Sequence, residues 1–401
     1  MRRRFGLCAA LLAATPVAAA PATRLAAPPP PYAGVYQPQG VDEIGLWREM
    51  DEDERILANS PILIRDEALN AYVRSVLCET VGAERCKAVR LYILRTPLFN
   101  ASMAPNGTMR VFSGLLLRVR SEAELGAVLG HEFGHFEQRH SLAAFKAKRS
   151  STDMLSWMAV LASMAPYARG AYNYQSMQIS VYGRLSRFNR DQERDADLHG
   201  IGYLNGSPLR PQAASVVWQN MMTEADRSAA ARGQARPRYD RIPFFASHPP
   251  EAERAMTLAS LAAPDGAARD DGAARYAAAL APWLPLFLDD QIKLNDFGAS
   301  DYLIGMLGEH GATAPLWVAR GDLYRARGNP RDLVAAAEFY ANAAALDPKL
   351  PEAQRGLGLA LLKTGHGAEG TQALRRYLDL KPDAPDAAMI GMLVSTPGQG
   401  H

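Results

Sequence analysis

Residues 126–140 read GAVLGHEFGHFEQRH, with His131 and His135 four apart and Glu132 beside the first. On an α-helix, positions i and i+4 lie one turn apart on one face. The spacing therefore aims two imidazoles at a single point. Glu132 projects from the adjacent flank, where its carboxylate reaches a water at that point. Two helical histidines binding zinc, with the glutamate as general base, is the chemistry this pattern serves. The bland reading is a surface helix carrying scattered polar residues. The preceding AELGAVLG (123–130) opposes it, because its apolar residues fall at helical spacing and predict a buried helix. A buried face does not carry His-Glu-His without partners.

A catalytic zinc takes three protein ligands and leaves one position open. Downstream, NRDQERDADLHG (189–200) sets Glu193 and Asp197 one helical turn apart. Glu193 suits the third ligand. Asp197 suits the second nitrogen of a ligating histidine, which a carboxylate orients and makes more basic. Alone, this stretch also reads as a solvated charged helix. A metzincin needs Gly three and His six residues after the second histidine; here those positions hold Gln138 and Ser141. His140 is read as facing elsewhere and structural. In ASHPPEAER (246–254), two prolines hold His248 in a rigid loop. There it would stabilise an oxyanion, take the fourth zinc position, or simply mark a surface turn.

The rest of the chain supplies context. Its 401 residues suggest two or three domains, and 48% hydrophobic with 21% charged residues is ordinary globular composition. A net charge of +2 without a long basic block points away from nucleic acid. MRRRFGLCAALLAATPVAAAPA (1–22) has Arg2, Arg3 and Arg4, an apolar run and small residues, which reads as a secretory signal peptide cut near Ala19 to Ala22. The run is too short to span a bilayer. Cys8 lies inside it and is not read as a lipid attachment site. Export leaves Cys78 and Cys86, an even pair, as a candidate disulfide or as two buried thiols.

A proline-rich linker (23–43) follows, then a helical pattern to Cys86 with Leu69, Tyr72, Val73, Val76 and Leu77 at helical spacing. VRLYIL (89–94) and TMRVFSG (108–114) read as strands, FNASMAP (99–105) as an extended segment, and Asn106-Gly107 as a tight turn. The expectation is a small antiparallel sheet ahead of the histidine helix. Residues 150–190 are Met-rich but break at Pro166, well short of a membrane span, and suit either a core hairpin or a mobile lid. Towards the C-terminus, LDPKLPEA (346–353) recurs as LKPDAPDA (380–387), a shift of 34, with a looser copy around 313–319. That period resembles tetratricopeptide repeats, whose stacked hairpins form a concave binding surface. The rival is a plain helical domain with a coincidental period.

HEFGHFEQRH, ERDAD and SHPPEAER, in this order, resemble the M48 family of zinc metallopeptidases. The FNASMAPNGTMRVFSGLL segment is also similar to that family's edge strand, with Met103 and Pro105 to Gly107 departing from the usual wording. The resemblance implies a mainly α, α+β, zincin-like domain over 44–262, followed by a helical solenoid over 270–395. It implies one zinc ion held by His131, His135 and Glu193, with Glu132 as base. Asp197 and Arg254 would lie behind the ligands, and His248 near the metal. Substrate would align on the edge strand at Asn100, Ala101 and Ser102. Signal peptide and repeats together narrow the likeness to the periplasmic, BepA-type branch. The function expected is an endopeptidase of unfolded or misassembled outer-membrane proteins in a Gram-negative bacterium, with outer-membrane assembly machinery as partner of the repeats. The alternative is a chaperone or assembly factor with a latent metal site. No nucleic acid and no membrane-spanning segment are expected.

Overall fold

The computed structural model describes residues 30–32, 36–150, 190–239, 251–309 and 311–395, and only the backbone of 147–150 and 190. The stretch read as a signal peptide, the Met-rich stretch at 151–189 and His248 lie outside them.

The fold is mainly α with one small sheet. Helix α1 (Gly40–Ala58) begins inside the stretch read as linker. Next come β1 (Leu63–Ile64), α2 (Glu67–Val81) and the short α3 (Ala83–Cys86). Local chemistry sets the ends of α2: the Asp66 side chain accepts a hydrogen bond from the Leu69 N–H at 2.7 Å, and Gly82 turns the chain at φ 93°. Cys78 on α2 and Cys86 on α3 are joined as a disulfide, their Cα atoms 5.0 Å apart.

Strands β2 (Arg90–Leu94), β3 (Ala101–Met103) and β4 (Thr108–Phe112) complete a sheet of order β1-β2-β4-β3. The Asn106-Gly107 turn folds β3 back on β4, with the Gly107 N–H donating to the Ala104 carbonyl at 2.9 Å. Gly107 has φ 90° and sits against the Ala88 carbonyl, so a side chain there is excluded twice. The sheet is mixed rather than antiparallel throughout. β1–β2 and β3–β4 are antiparallel, whereas β2 and β4 run parallel, Arg90 opposite Thr108 and Leu94 opposite Phe112. The hairpin places β3 on the far side of β4, which leaves β4 between two neighbours and β3 at the edge. β4 is buried along its whole length.

A short helix α4 (Ser113–Arg118) leads to α5 (Glu122–Glu137), the histidine helix. Its start is fixed by Ser121, which accepts from the Glu124 N–H at 3.1 Å, while Glu124 reaches back to the Arg120 N–H at 2.9 Å. Leu125, Leu129 and Phe133 are completely buried in the main core with α2 and the sheet. α6 (His140–Ser150), α7 (Arg190–Gly206), α8 (Ala213–Ala231) and α9 (Glu251–Leu261) follow, and α7 lies against α5.

Helices α10 (Ala273–Leu280), α11 (Leu284–Ile292) and α12 (Phe297–Leu307) pack onto this body. Tyr276, Phe287 and Leu288 enter the same core as α5, and the Tyr276 hydroxyl donates to the Leu116 carbonyl at 2.6 Å. A buried Arg118–Glu224 ion pair at 2.7 Å, with Arg118 also 3.0 Å from Gln291, ties α4, α8 and α11 together. Paired helices follow: α13 (Ala314–Arg327) with α14 (Pro330–Leu346), α15 (Pro351–Lys363) with α16 (Gly367–Leu380), then α17 (Ala387–Ser395). Among the described residues, no helix is long and apolar enough to cross a membrane.

Candidate metal centre

α5 and α7 bring three metal-binding side chains together. Nε2 of His131 and Nε2 of His135 are 3.1 Å apart, and each is 3.6 Å from a different carboxylate oxygen of Glu193. All three residues are buried, and among the described residues they form the one His/Cys/Asp/Glu group compact enough to hold an ion.

The neighbours dictate which nitrogen carries each ring proton. Asp197 Oδ1 lies 2.9 Å from His131 Nδ1. The Arg254 guanidinium is 3.1 Å from the same nitrogen, but it only donates, so the Asp197 carboxylate takes the ring's N–H. On the other ring, His135 Nδ1 meets His140 Nδ1 at 2.9 Å, and His140 Nε2 meets Asp195 Oδ2 at 3.1 Å. Asp195 accepts the His140 Nε2–H, which leaves His140 Nδ1 to accept from His135. Both ligand histidines therefore turn Nε2 lone pairs towards each other and Glu193, with the Arg254 guanidinium also 3.3 Å from the His131 Nε2. Lone pairs at that distance, beside a carboxylate, fit a cation between them. The charge pattern agrees: among the described residues, Glu193 and Asp197 lie with Glu132 around the Arg254 guanidinium, an excess of carboxylates that a cation offsets.

The titratable groups respond to this crowding. Burial, then Arg254, lowers the pKa of His131 and favours the neutral, ligating ring. Burial and the Glu193 carboxylate push Glu132 well above the usual carboxylate range. Burial alone would raise Asp197 too, but Arg254 and His131 outweigh it and hold its carboxyl well below that range. Arg254 is itself locked in place: its Nε donates to Asp197 Oδ2 at 2.9 Å, and its guanidinium lies 3.8 Å over the Trp218 ring.

Glu132, partly exposed, faces a cavity of about 280 Å³. Ile201, Val217, Trp218 and Leu258 make its wall apolar, and Asn100 and Ala101 bring the edge strand to its rim. Ser102 follows on the same strand but does not line it. Asn100 and Ala104 bond inward to β4, through Phe112 N–H to Asn100 O at 3.1 Å and Ala104 N–H to Thr108 O at 2.8 Å. By the two-residue alternation of a strand, the backbone groups of Ala101 and Met103 point to the free edge.

Of the residues singled out from sequence, His131, His135, Glu193, Glu132, Asp197 and Arg254 converge here, and His248 lies outside the described residues. One assignment is corrected. His140, read as facing elsewhere, sits against His135. The helix ends at Glu137, and Arg139, with φ of 54°, turns the chain so that His140 comes back onto His135. Asp195 and Gly200 were not singled out at all. A Cβ on Gly200 would sit 2.9 Å from the His131 backbone nitrogen, so only glycine lets α7 approach this closely. Helix-on-helix contact at a glycine has a signal in principle, the HG pair at 199–200, but it is indistinct without the partner helix.

Residues 64–262 match the model of Peptidase family M48. This stretch, about half of the chain, is a peptidase family M48 domain. It is similar to the mitochondrial metalloendopeptidase OMA1 of Schizosaccharomyces pombe, 28% identical over 185 residues, covering 46% of this chain and 50% of that protein. It is likewise similar to the beta-barrel assembly-enhancing protease of Escherichia coli, 28% identical over 182 residues (44% of this chain, 37% of the relative). Metalloprotease YcaL of Escherichia coli matches at 28% over 226 residues, 52% of this chain and 79% of the relative. The chain spans half or less of the length of the first two of these relatives.

Proposed function

We propose that this chain is a zinc-dependent endopeptidase that acts on unfolded or misassembled polypeptides, outer-membrane proteins among them, after export to the periplasm. The observation that carries the reading is the pair of Nε2 atoms 3.1 Å apart, closed by Glu193, with Glu132 next to them at an open cavity. Two imidazoles and one carboxylate are a catalytic zinc set with a position left for water. Zinc in that position would lower the pKa of water and polarise the scissile carbonyl. Glu132 takes the water's proton on its carboxylate and passes it to the leaving amine. Asp197, clamped by Arg254, holds the His131 ring. The outward backbone groups of Ala101 and Met103 align an extended substrate as an added strand, which reads backbone and suits unfolded clients. His248 stabilises the oxyanion or occupies the open position in a latent state. The paired helices from α13 onward, with their 34-residue period, serve as a tetratricopeptide-like array that recruits client or outer-membrane assembly machinery. The names of relatives, a beta-barrel assembly-enhancing protease among them, support this direction.

The test is zinc content and casein cleavage by the purified mature protein, its Glu132→Gln variant and its His248→Ala variant. The expected result is one zinc per chain in all three and cleavage lost in Glu132→Gln. A faster His248→Ala enzyme identifies a latch, and a slower one identifies an oxyanion contact. Zinc binding without cleavage by any variant would favour the chaperone alternative. No zinc binding would remove the ligand assignment.

A further inference from the structure

The ring of His135 is held from behind by a two-residue relay, His140 and Asp195, to which the motif reading gave no part in the metal site. We infer that His140 and Asp195 act together as positioning residues: they fix the tautomer of His135 so that its Nε2 carries the lone pair that a metal needs. The inference rests on the metal-site reading above.

Three observations carry it. His140 Nδ1 is 2.9 Å from His135 Nδ1, and the two rings meet edge to face with centroids 5.0 Å apart. His140 is buried, and its Nε2 is 3.1 Å from Asp195 Oδ2. The second oxygen of Asp195 is 3.8 Å from His199 Nε2, so the carboxylate is bracketed by two imidazoles. A histidine between a donor and a carboxylate has one satisfactory arrangement: it donates to the carboxylate and accepts on the other nitrogen. That arrangement forces the proton of His135 onto Nδ1. His131 reaches the same state directly through Asp197. The two ligands are thus oriented by different means, one by a carboxylate, the other by a carboxylate acting through a second ring. Arg139 with φ 54° is what places the relay, since a continued helix would carry His140 away. Asp195 and Asp197 flank Ala196 on α7, so one helix supplies both supports and Glu193 as well.

The relay is separable from simple packing, because glutamine can reproduce both bonds: its amide oxygen accepts from His135 and its amide nitrogen donates to Asp195. Leucine reproduces neither. Zn²⁺ affinity is read by competition with a chromogenic chelator, and the ligand field by the visible spectrum of the Co²⁺-loaded protein. His140→Leu is expected to weaken Zn²⁺ binding about 10- to 100-fold, as loss of a ligand-orienting partner does. His140→Gln should recover most of that loss and restore the Co²⁺ spectrum. Asp195→Ala, at a partly exposed position that tolerates truncation, should weaken binding several-fold and serves if His140→Leu does not fold. Wild-type affinity in both His140→Leu and Asp195→Ala overturns the relay, as does a Gln variant as weak as Leu. If the wild-type protein itself binds no metal, the site reading falls with it. Casein cleavage plays no part, so a failure of the protease assignment leaves this result legible.

Discussion

Gly200→Ala is the substitution on which the geometry of the site bears most directly. The added methyl would stand 2.9 Å from the His131 backbone nitrogen and 3.0 Å from its Cα. Ordinary contact begins near 3.4 Å, so α7 must withdraw from α5 by about half an ångström at that point. Neither neighbour is a side chain that can rotate aside. Overpacking of this kind costs about 1–3 kcal/mol, whereas Gly→Ala in a helix interior returns at most about 1 kcal/mol. The net is a loss of up to about 2 kcal/mol, because two backbone atoms, neither able to rotate aside, meet the methyl. Because the same helix carries Glu193 and Asp197, the withdrawal also stretches the ligand set, and each 1.4 kcal/mol lost there is a tenfold weaker metal site. Gly202 is the internal control. It sits two residues on in the same helix with open space around its Cβ direction, so Gly202→Ala should stabilise by about 0.5–1 kcal/mol. The assays are urea unfolding of the metal-free proteins and chelator competition for Zn²⁺. If Gly200→Ala matches Gly202→Ala in both, the close approach of α5 and α7 is not what holds the ligands together.

Arg254→Met leaves the Asp197 carboxylate buried beside His131 without its guanidinium; unfolding experiments should show a loss of about 3–5 kcal/mol, and a loss under 1 kcal/mol would contradict the clamp. Arg118→Met breaks the buried pair with Glu224 and should cost a similar amount, with α8 and α11 gaining amide exchange first; uniform exchange would argue against its role as a tie. Glu54 is raised by burial, but hydrogen bonds from Arg90, Tyr92 and Thr108 outweigh this and depress its carboxyl below the usual range. A depressed folded pKa stabilises above the unfolded value of about 4.3 and loses that contribution as pH falls. The stability gap between wild type and Glu54→Gln should therefore be full above roughly pH 5 and shrink below about 4; a gap constant down to pH 3 would exclude the effect.

The parts of this protein that were legible in the chain are those set within a turn or two of backbone. Two imidazoles four residues apart need only helix geometry to converge. Asn106-Gly107 turns β3 onto β4 by the φ that glycine permits. The 34-residue spacing of the C-terminal motifs is likewise written in the residues. Packing decided the rest. β2 pairs parallel with β4 because the β3 hairpin lies on the outer edge, a choice between strand neighbours that alternating residues do not encode. β1, only two residues long, carries too little pattern to be read. The α10–α12 helices join the core of the peptidase body, which their own apolar faces do not specify. His140 and Asp195 are 55 residues apart in sequence. They meet only because one left-handed residue turns α6 back and one glycine admits α7. The two histidine ligands follow from local spacing; Glu193, and the distances and proton positions that make it a site, depend on which helices touch, and that is settled by the whole fold.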